Sequence, residues 1–347
     1  MSRSFRVPDG MTPPERAGAL VTSSLSIPLD PDGFFGRECP NRECLAYFKV
    51  HLDDYGQARA IHRLTCPVCG ATESDEHFHT PEQIERMRAG AIELARGVVD
   101  QTFRDLARRP PTRNSRGAIT FQWRTPSRPH VPKPLPTYVE RQTIRTFVCP
   151  NGGHRAVIYD LLSFCPYCGP EKTPPRAVFD DNIAAMSRLL AVVTELPAEA
   201  QQAIQVSGGT TALAERALGG AIAALQTLAK QLHSQADKPA ASGNPWQNAD
   251  RLQRQWLHDF SADPLAGLDA KEVRNLRLAF ARRHVLEHNG GVIDDRYRQE
   301  TGEGIVGHRL RIRAGFVEEA FAVAVALADR LEATANERLQ AVEAPEP

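Results

Sequence analysis

The sequence predicts a mainly α-helical chain, in which a C-terminal helical bundle follows two small β modules and a connecting helix. Three observations predict it. From about residue 176, apolar residues recur at helical spacing with short interruptions. In the first half, cysteines fall in two clusters with repeated short spacings. Between the clusters, one long helical pattern opens on Thr80-Pro81-Glu82-Gln83.

Bulk properties narrow the function classes. The chain has 347 residues, enough for one large domain or two to three smaller ones. Hydrophobic residues make up 41% and charged residues 24%, as in ordinary globular proteins. The formal net charge is zero, so any attraction to nucleic acid must be local. Residues 1–32 hold charges, prolines and serines without an apolar run, and read as a flexible N-terminus without a signal peptide. The longest apolar run, Ala320 to Ala328, is too short to cross a bilayer. The expectation is a cytoplasmic protein without membrane contact. Seven cysteines, an odd count without a secretion signal, argue against a disulfide framework.

The elements follow in chain order. Residues 33–79 carry Cys39-Pro-Asn-Arg-Glu-Cys44 and Cys66-Pro-Val-Cys69-Gly70, two short-spaced pairs about twenty residues apart. Four thiolates brought together by two tight turns make a tetrahedral zinc site, so this stretch reads as a zinc ribbon. Chance would supply about 0.1 Cys-x2-Cys pairs in such a composition, and the chain has two. Residues 80–109 form the connecting helix. Thr80 and Gln83 form a capping box with Pro81 at the first helical position. Its stripe of Ile84, Met87, Ala91, Leu94 and Val98 should pack on the ribbon or on the C-terminal domain. Residues 110–136 hold seven prolines and break all periodicity. From Leu106 to Val139 there is no acid, but seven basic residues: Arg108, Arg109, Arg113, Arg116, Arg124, Arg128 and Lys133. With Phe121, Trp123 and Tyr138 interleaved, this segment reads either as a nucleic-acid contact or as a solvated linker with one short strand, Ala118 to Trp123.

Residues 137–175 repeat the first cluster. Cys149-Pro-Asn-Gly-Gly-His154 and Cys165-Pro-Tyr-Cys168-Gly169 place a histidine where the earlier cluster has its second cysteine. Imidazole is an ordinary zinc ligand, so Cys149, His154, Cys165 and Cys168 make a second closed site beside Cys39, Cys44, Cys66 and Cys69. Seven cysteines and one histidine then supply eight ligands for two structural zinc ions. Local pairing within each cluster is the simpler arrangement, and cross-pairing remains open.

Residues 176–340 read as helices. Apolar repeats run from Phe179 to before Pro197, from Thr210 to Leu232, from Asp250 to Phe260, from Asp269 to His288, and from Phe316 to about Gln340, with short connections. Asp269 and Glu272 form a second capping box. Asn289-Gly290-Gly291 stops that helix, and Val292 to Arg313 reads as irregular or a short hairpin.

Within this half, Arg282-Arg283-His284-Val285-Leu286-Glu287-His288-Asn289-Gly290-Gly291 carries an Arg-x4-His spacing on the last turns of a capped helix. Chance predicts about one such spacing in this composition, and basic residues near a helix C-terminus are favoured by the macrodipole alone. Context carries the weight. The run from Arg282 to Gly302 resembles the motif helix and following loop of HEPN-like (higher eukaryotes and prokaryotes nucleotide-binding) domains, over roughly residues 179–340. That resemblance implies a helical bundle that forms a homodimer and brings two motif helices together. It implies a metal-independent endoribonuclease of defence, stress and toxin systems, while other such domains have lost activity and serve as interaction modules; a bacterial setting and a regulatory protein partner are further expectations. By the same resemblance, Arg283 and His288 are the catalytic pair and His284 orients its neighbours.

The residue types suit that chemistry. An RNA 2′-OH can attack the adjacent phosphate, a histidine near neutral pKa can move the protons, and an arginine can stabilise the added charge. Positions five apart on a helix are separated by about 140°, so a site shared between two subunits accommodates the pair better than one helix alone. Two other readings stand beside it. His284 and His288, four apart, share a face and could bind a metal with Glu287 or Asp294. The chain could also be a non-catalytic module whose ribbons and basic segment bind nucleic acid or protein.

Overall fold

The computed structural model describes residues 7–17, 20–58, 63–108, 130–143, 145–236, 238, 241 and 243–343. The chain is mainly helical, with a small antiparallel sheet in its N-terminal region. It divides into two units: residues 1–66, 71–148 and 154–159, and residues 67–70, 149–153 and 160–347. Most of the basic segment and its expected strand, Ala118 to Trp123, lie outside the described residues.

The first unit opens with a hairpin where the composition predicted a flexible stretch. Strands β1 (Glu15–Ala17) and β2 (Leu20–Thr22) pair, and Met11 bridges Leu25. Strands β3 (Phe34–Glu38) and β4 (Tyr47–His51) then form a hairpin. Helix α1 (Leu52–Ala58) follows, and β5 (Arg63–Thr65) and β6 (Thr72–Ser74) make a two-stranded ladder. The long helix α2 (Pro81–Arg108) comes next, and strands β7 (Thr146–Val148) and β8 (Arg155–Ile158) complete the unit.

The expectation of two separate ribbons is corrected here. Strands from both cysteine clusters form one sheet in the order β3-β4-β8-β7. β4 pairs with β8 through Phe48↔Ile158, Lys49↔Val157 and Val50↔Ala156. The physical reason lies in β4, whose Phe48, Lys49 and Val50 are fully buried. A two-stranded ribbon leaves such a strand with an open edge, and pairing β4 with β8 closes it.

Lys49 at the centre of this sheet needs a counter-ion. Its ammonium pairs with Asp30 at 2.6 Å and also donates to Arg141 O, while Thr143 donates to Asp30 at 2.8 Å. Burial opposes ionisation of Asp30, but Lys49, the Phe34 N–H and Thr143 outweigh it and lower its pKa. Asp30→Ala strands the Lys49 charge and is expected to cost about 3–5 kcal/mol in chemical denaturation. A loss below about 1 kcal/mol would contradict the assignment.

α2 also departs from its sequence pattern. The capping box forms: Gln83 N–H donates to Thr80 Oγ1 and Thr80 N–H to Gln83 Oε1, both at 3.3 Å. The buried face, however, is Gln83, Arg86, Gly90 and Glu93, while Ile84 and Ala91 are exposed. Polar groups win because each finds a partner. Arg86 donates to Ser26 O (3.1 Å) and Pro136 O (2.7 Å), and Glu93 accepts from Arg96 (2.7 Å) and Lys133 N (3.1 Å) and pairs with His130 Nε2 (3.0 Å). The proline-rich stretch of residues 130–136 supplies several of these partners, since extended backbone beside proline has carbonyls to spare.

The second unit holds α3 (Gly169–Lys172), α4 (Pro175–Glu195), α5 (Ala198–Val206), α6 (Gly209–Gln235), α7 (Ala249–Phe260), α8 (Ala270–His288), α9 (Asp295–Thr301) and α10 (Ala314–Glu343). α6 is the central helix, packed against α4, α8 and α10. Its small residues permit close approach. A Cβ on Gly220 would lie 2.4 Å from the Met186 methyl of α4. α8 buries Leu276, Ala279, Phe280 and Val285, which accounts for its broad apolar face. The predicted Asp269–Glu272 capping box is present, and Gly290 and Gly291 end the helix with positive φ. No helix among the described residues is long and apolar enough to cross a membrane.

A buried hydrogen bond joins α6 to α7. His233 Nε2 meets Asp259 Oδ2 at 2.7 Å, and the His233 ring lies against Trp246. Burial alone would raise the Asp259 carboxyl, but hydrogen bonds from Gln255, His258 and His233 outweigh it and hold it down to about 2. An unfolded aspartate titrates at about 3.9. Between those values the unfolded chain binds more protons than the folded chain. The stabilisation is therefore complete above about pH 4 and is lost as pH falls toward about 2. Asp259→Asn is expected to flatten the acid limb of a plot of urea midpoint against pH. An acid limb identical to wild type would contradict this.

Candidate metal centres and the α8 motif

Three of the four cysteine knuckles follow from a turn at the end of a strand, and the fourth, Cys165–Cys168, leads into α3. Cys39 and Cys44 occupy the β3–β4 turn, where Cys39 N–H donates to Ala46 O (3.0 Å) and Cys44 N–H to Asn41 O (3.0 Å). Cys66 and Cys69 occupy the β5–β6 turn, where Cys66 N–H donates to Ala71 O at 2.8 Å. Gly70 there has φ 76°, and a Cβ on it would lie 2.9 Å from the Phe164 ring, so only glycine fits. Cys149 begins the β7–β8 turn, and its carbonyl accepts from Gly153 N–H at 2.7 Å. Antiparallel pairing places the β3–β4 and β7–β8 turns at opposite ends of the shared sheet.

Two groups of cysteines can hold a metal ion. The sulfurs of Cys39, Cys44, Cys66 and Cys69 all lie within 4.8 Å of one another, as do those of Cys149, Cys165 and Cys168. Zn–S bonds of about 2.3 Å in a tetrahedron set sulfurs about 3.8 Å apart. The Cys44–Cys66 separation is 3.8 Å, and that of Cys149–Cys168 is 3.3 Å. None of the seven cysteines forms a disulfide. Pairing within each cluster therefore prevails over cross-pairing. His154, expected as the fourth ligand of the second group, is not brought into it, so that group stands as three cysteines. Burial pushes the Cys165 and Cys168 thiols up, and the neighbouring Cys149 sulfur adds to the effect. A bound cation reverses that preference, because it stabilises thiolates directly.

The α8 motif divides between two faces. Arg283, 15% exposed, pairs with Glu287 at 2.7 Å, one helical turn on. Its Nε is buried without a hydrogen-bond partner. The His284 and His288 rings meet at 4.7 Å between centroids. Burial, then the nearby Arg296 and His288 charges, lower the His284 pKa and favour its neutral form. His288 is exposed on the final helical residue. No contact joins Arg283 to His288 among the described residues, as their 140° separation implies. Their neighbour Arg282 is occupied elsewhere: it pairs with Glu303 at 2.9 Å and stacks 3.8 Å from the Phe316 ring.

The loop after α8 is fixed by polar contacts. Asn289 Nδ2 donates to Asp294 Oδ2 at 2.6 Å, and Asp294 caps α9 through Tyr297 N–H. Asp294 is thereby committed, which weakens it as a third ligand for a metal on His284 and His288. Glu287 was named in sequence only as such a ligand. Its pairing with Arg283 is legible afterwards as an i,i+4 spacing. Arg296, which acts on His284 from α9, carried no recognisable signal. Comparison with family models, curated proteins and solved structures finds no match to this chain.

Proposed function

We propose that the chain is a metal-independent endoribonuclease of the HEPN type, with structural zinc in the two cysteine sites. The carrying observation is the paired His284 and His288 rings on the terminal turns of α8, one turn of helix beside Arg283. In this reading His288 moves the proton between the RNA 2′-OH and the departing oxygen. Arg283 exchanges Glu287 for the scissile phosphate and stabilises its added charge. Neutral His284 orients His288. A homodimer through the second unit supplies Arg283 and His288 from different subunits, which removes the mismatch of their faces on one helix.

Cys39, Cys44, Cys66 and Cys69 hold one zinc ion. Cys149, Cys165 and Cys168 hold the other, with His154 as the proposed fourth ligand. Zinc supplies folding energy at both sites and takes no part in cleavage. The setting proposed is the bacterial cytoplasm, in defence or stress, with a regulatory protein partner.

A second reading has one observation in its favour. The Arg283–Glu287 ion pair is a settled structural contact, and a bundle with that pair intact serves as a dimerisation module whose cysteine region binds nucleic acid or protein. The chemistry of the products separates the two. Cleavage should leave 2′,3′-cyclic phosphate ends and proceed unchanged in EDTA. Cleavage that stops in EDTA while both structural zinc ions are retained, or no cleavage of any RNA by the zinc-loaded protein, overturns the first reading.

A further inference from the structure

Two buried cations stand on adjacent strands of the sheet, and only one has a counter-ion. Lys49 on β4 is fully buried and paired with Asp30. Arg37 on β3 is 2% exposed. Its guanidinium lies over the Phe35 ring at 4.4 Å and the Tyr55 ring at 5.0 Å. Nη1 donates to Gly36 O (3.2 Å) and Gln83 Oε1 (3.0 Å), while Nε is buried with no partner. Among the described residues no carboxylate forms an ion pair with it. Asp75, which lines the same cleft, accepts instead from the Tyr55 hydroxyl. Carbonyl oxygens and ring faces offset part of the desolvation of a guanidinium, but a buried charge without an opposite charge is costly.

Arg37 lines a cleft of about 720 Å³ in the first unit, a size suited to a small ligand. Leu25, Ile27, Leu29 and Leu52 give it an apolar wall, and Leu29 and Leu52 are 42% and 48% exposed. Asp75 and Glu76 line it as well. We propose that this cleft binds a monocarboxylate with an apolar body, whose carboxylate is the counter-ion that Arg37 lacks. One guanidinium matches one carboxylate in charge and in fork geometry. A phosphate dianion is disfavoured, because its second charge would face Asp75 and Glu76, with the His79 imidazole as the one other lining group able to carry a positive charge. The apolar body lies along the leucine and isoleucine wall. This site is independent of α8 and of the ribonuclease reading.

The test is calorimetric titration of the zinc-loaded full chain with octanoate, octanol and octyl phosphate. Octanoate is expected to bind saturably at one per chain. Octanol, with the same body and no charge, and octyl phosphate should bind at least about tenfold more weakly. Leu52→Glu adds a negative charge at an exposed position of the cleft and keeps the core. It should weaken octanoate at least about tenfold with an unchanged circular dichroism spectrum. Arg37→Lys keeps the charge and loses the fork, and should weaken it also. Three results overturn the proposal: no octanoate binding at millimolar concentration, equal binding of octanol, or an unchanged octanoate affinity in Leu52→Glu.

Discussion

Replacing Cys66 by serine, or stripping metal from its cluster, is expected to unfold the sheet-bearing unit rather than loosen it. Cys66 is fully buried, and its sulfur lies 3.8 Å from that of Cys44. The β5–β6 ladder that it anchors is only two strands of three residues, too short to persist alone. A structural zinc contributes about 10–16 kcal/mol in small zinc-bound folds, as much as the whole stability of many domains. Elemental analysis should fall from about two zinc ions per chain to about one in Cys66→Ser. Helical circular dichroism should largely persist, because α6, α8 and α10 pack around a separate apolar core. A variant with full zinc content and wild-type urea midpoint would contradict the metal assignment.

Local signals in the sequence survive folding well. Both capping boxes form with the residues that the sequence names, Thr80 with Gln83 and Asp269 with Glu272. The cysteine spacings place seven sulfurs in two groups. The five long helical patterns correspond to α4, α6, α7, α8 and α10. These signals are legible because each depends on residues only a few positions apart.

Long-range pairing was not legible. β4 and β8 are about a hundred residues apart, and nothing in Tyr47–His51 or Arg155–Ile158 specifies the other as its neighbour. α2 misled because its apolar residues are real, yet partners for Arg86 and Glu93 arrive from Ser26, His130, Lys133 and Pro136. Asp30 and Lys49 likewise look like surface charges until the sheet closes over them. At the motif, the Arg-x4-His spacing picked out Arg283, but not the different surroundings of Arg282 and Arg283. Those differences arise from Glu303 and Phe316, which the chain brings back from beyond the loop.

The central claim is that the exposed end of α8 is chemically active. His288→Ala is expected to slow RNA cleavage by about 10²–10⁴-fold, the usual contribution of a positioned proton carrier. Stability should change by less than about 0.5 kcal/mol, since His288 is exposed and its described ring contact is with His284. The most direct measurement is the initial rate of 2′,3′-cyclic phosphate formation on total cellular RNA, with wild type and His288→Ala at equal zinc content. The account predicts a rate at least about a hundredfold lower in the variant, with an unchanged melting curve. Equal rates for the two proteins would contradict it.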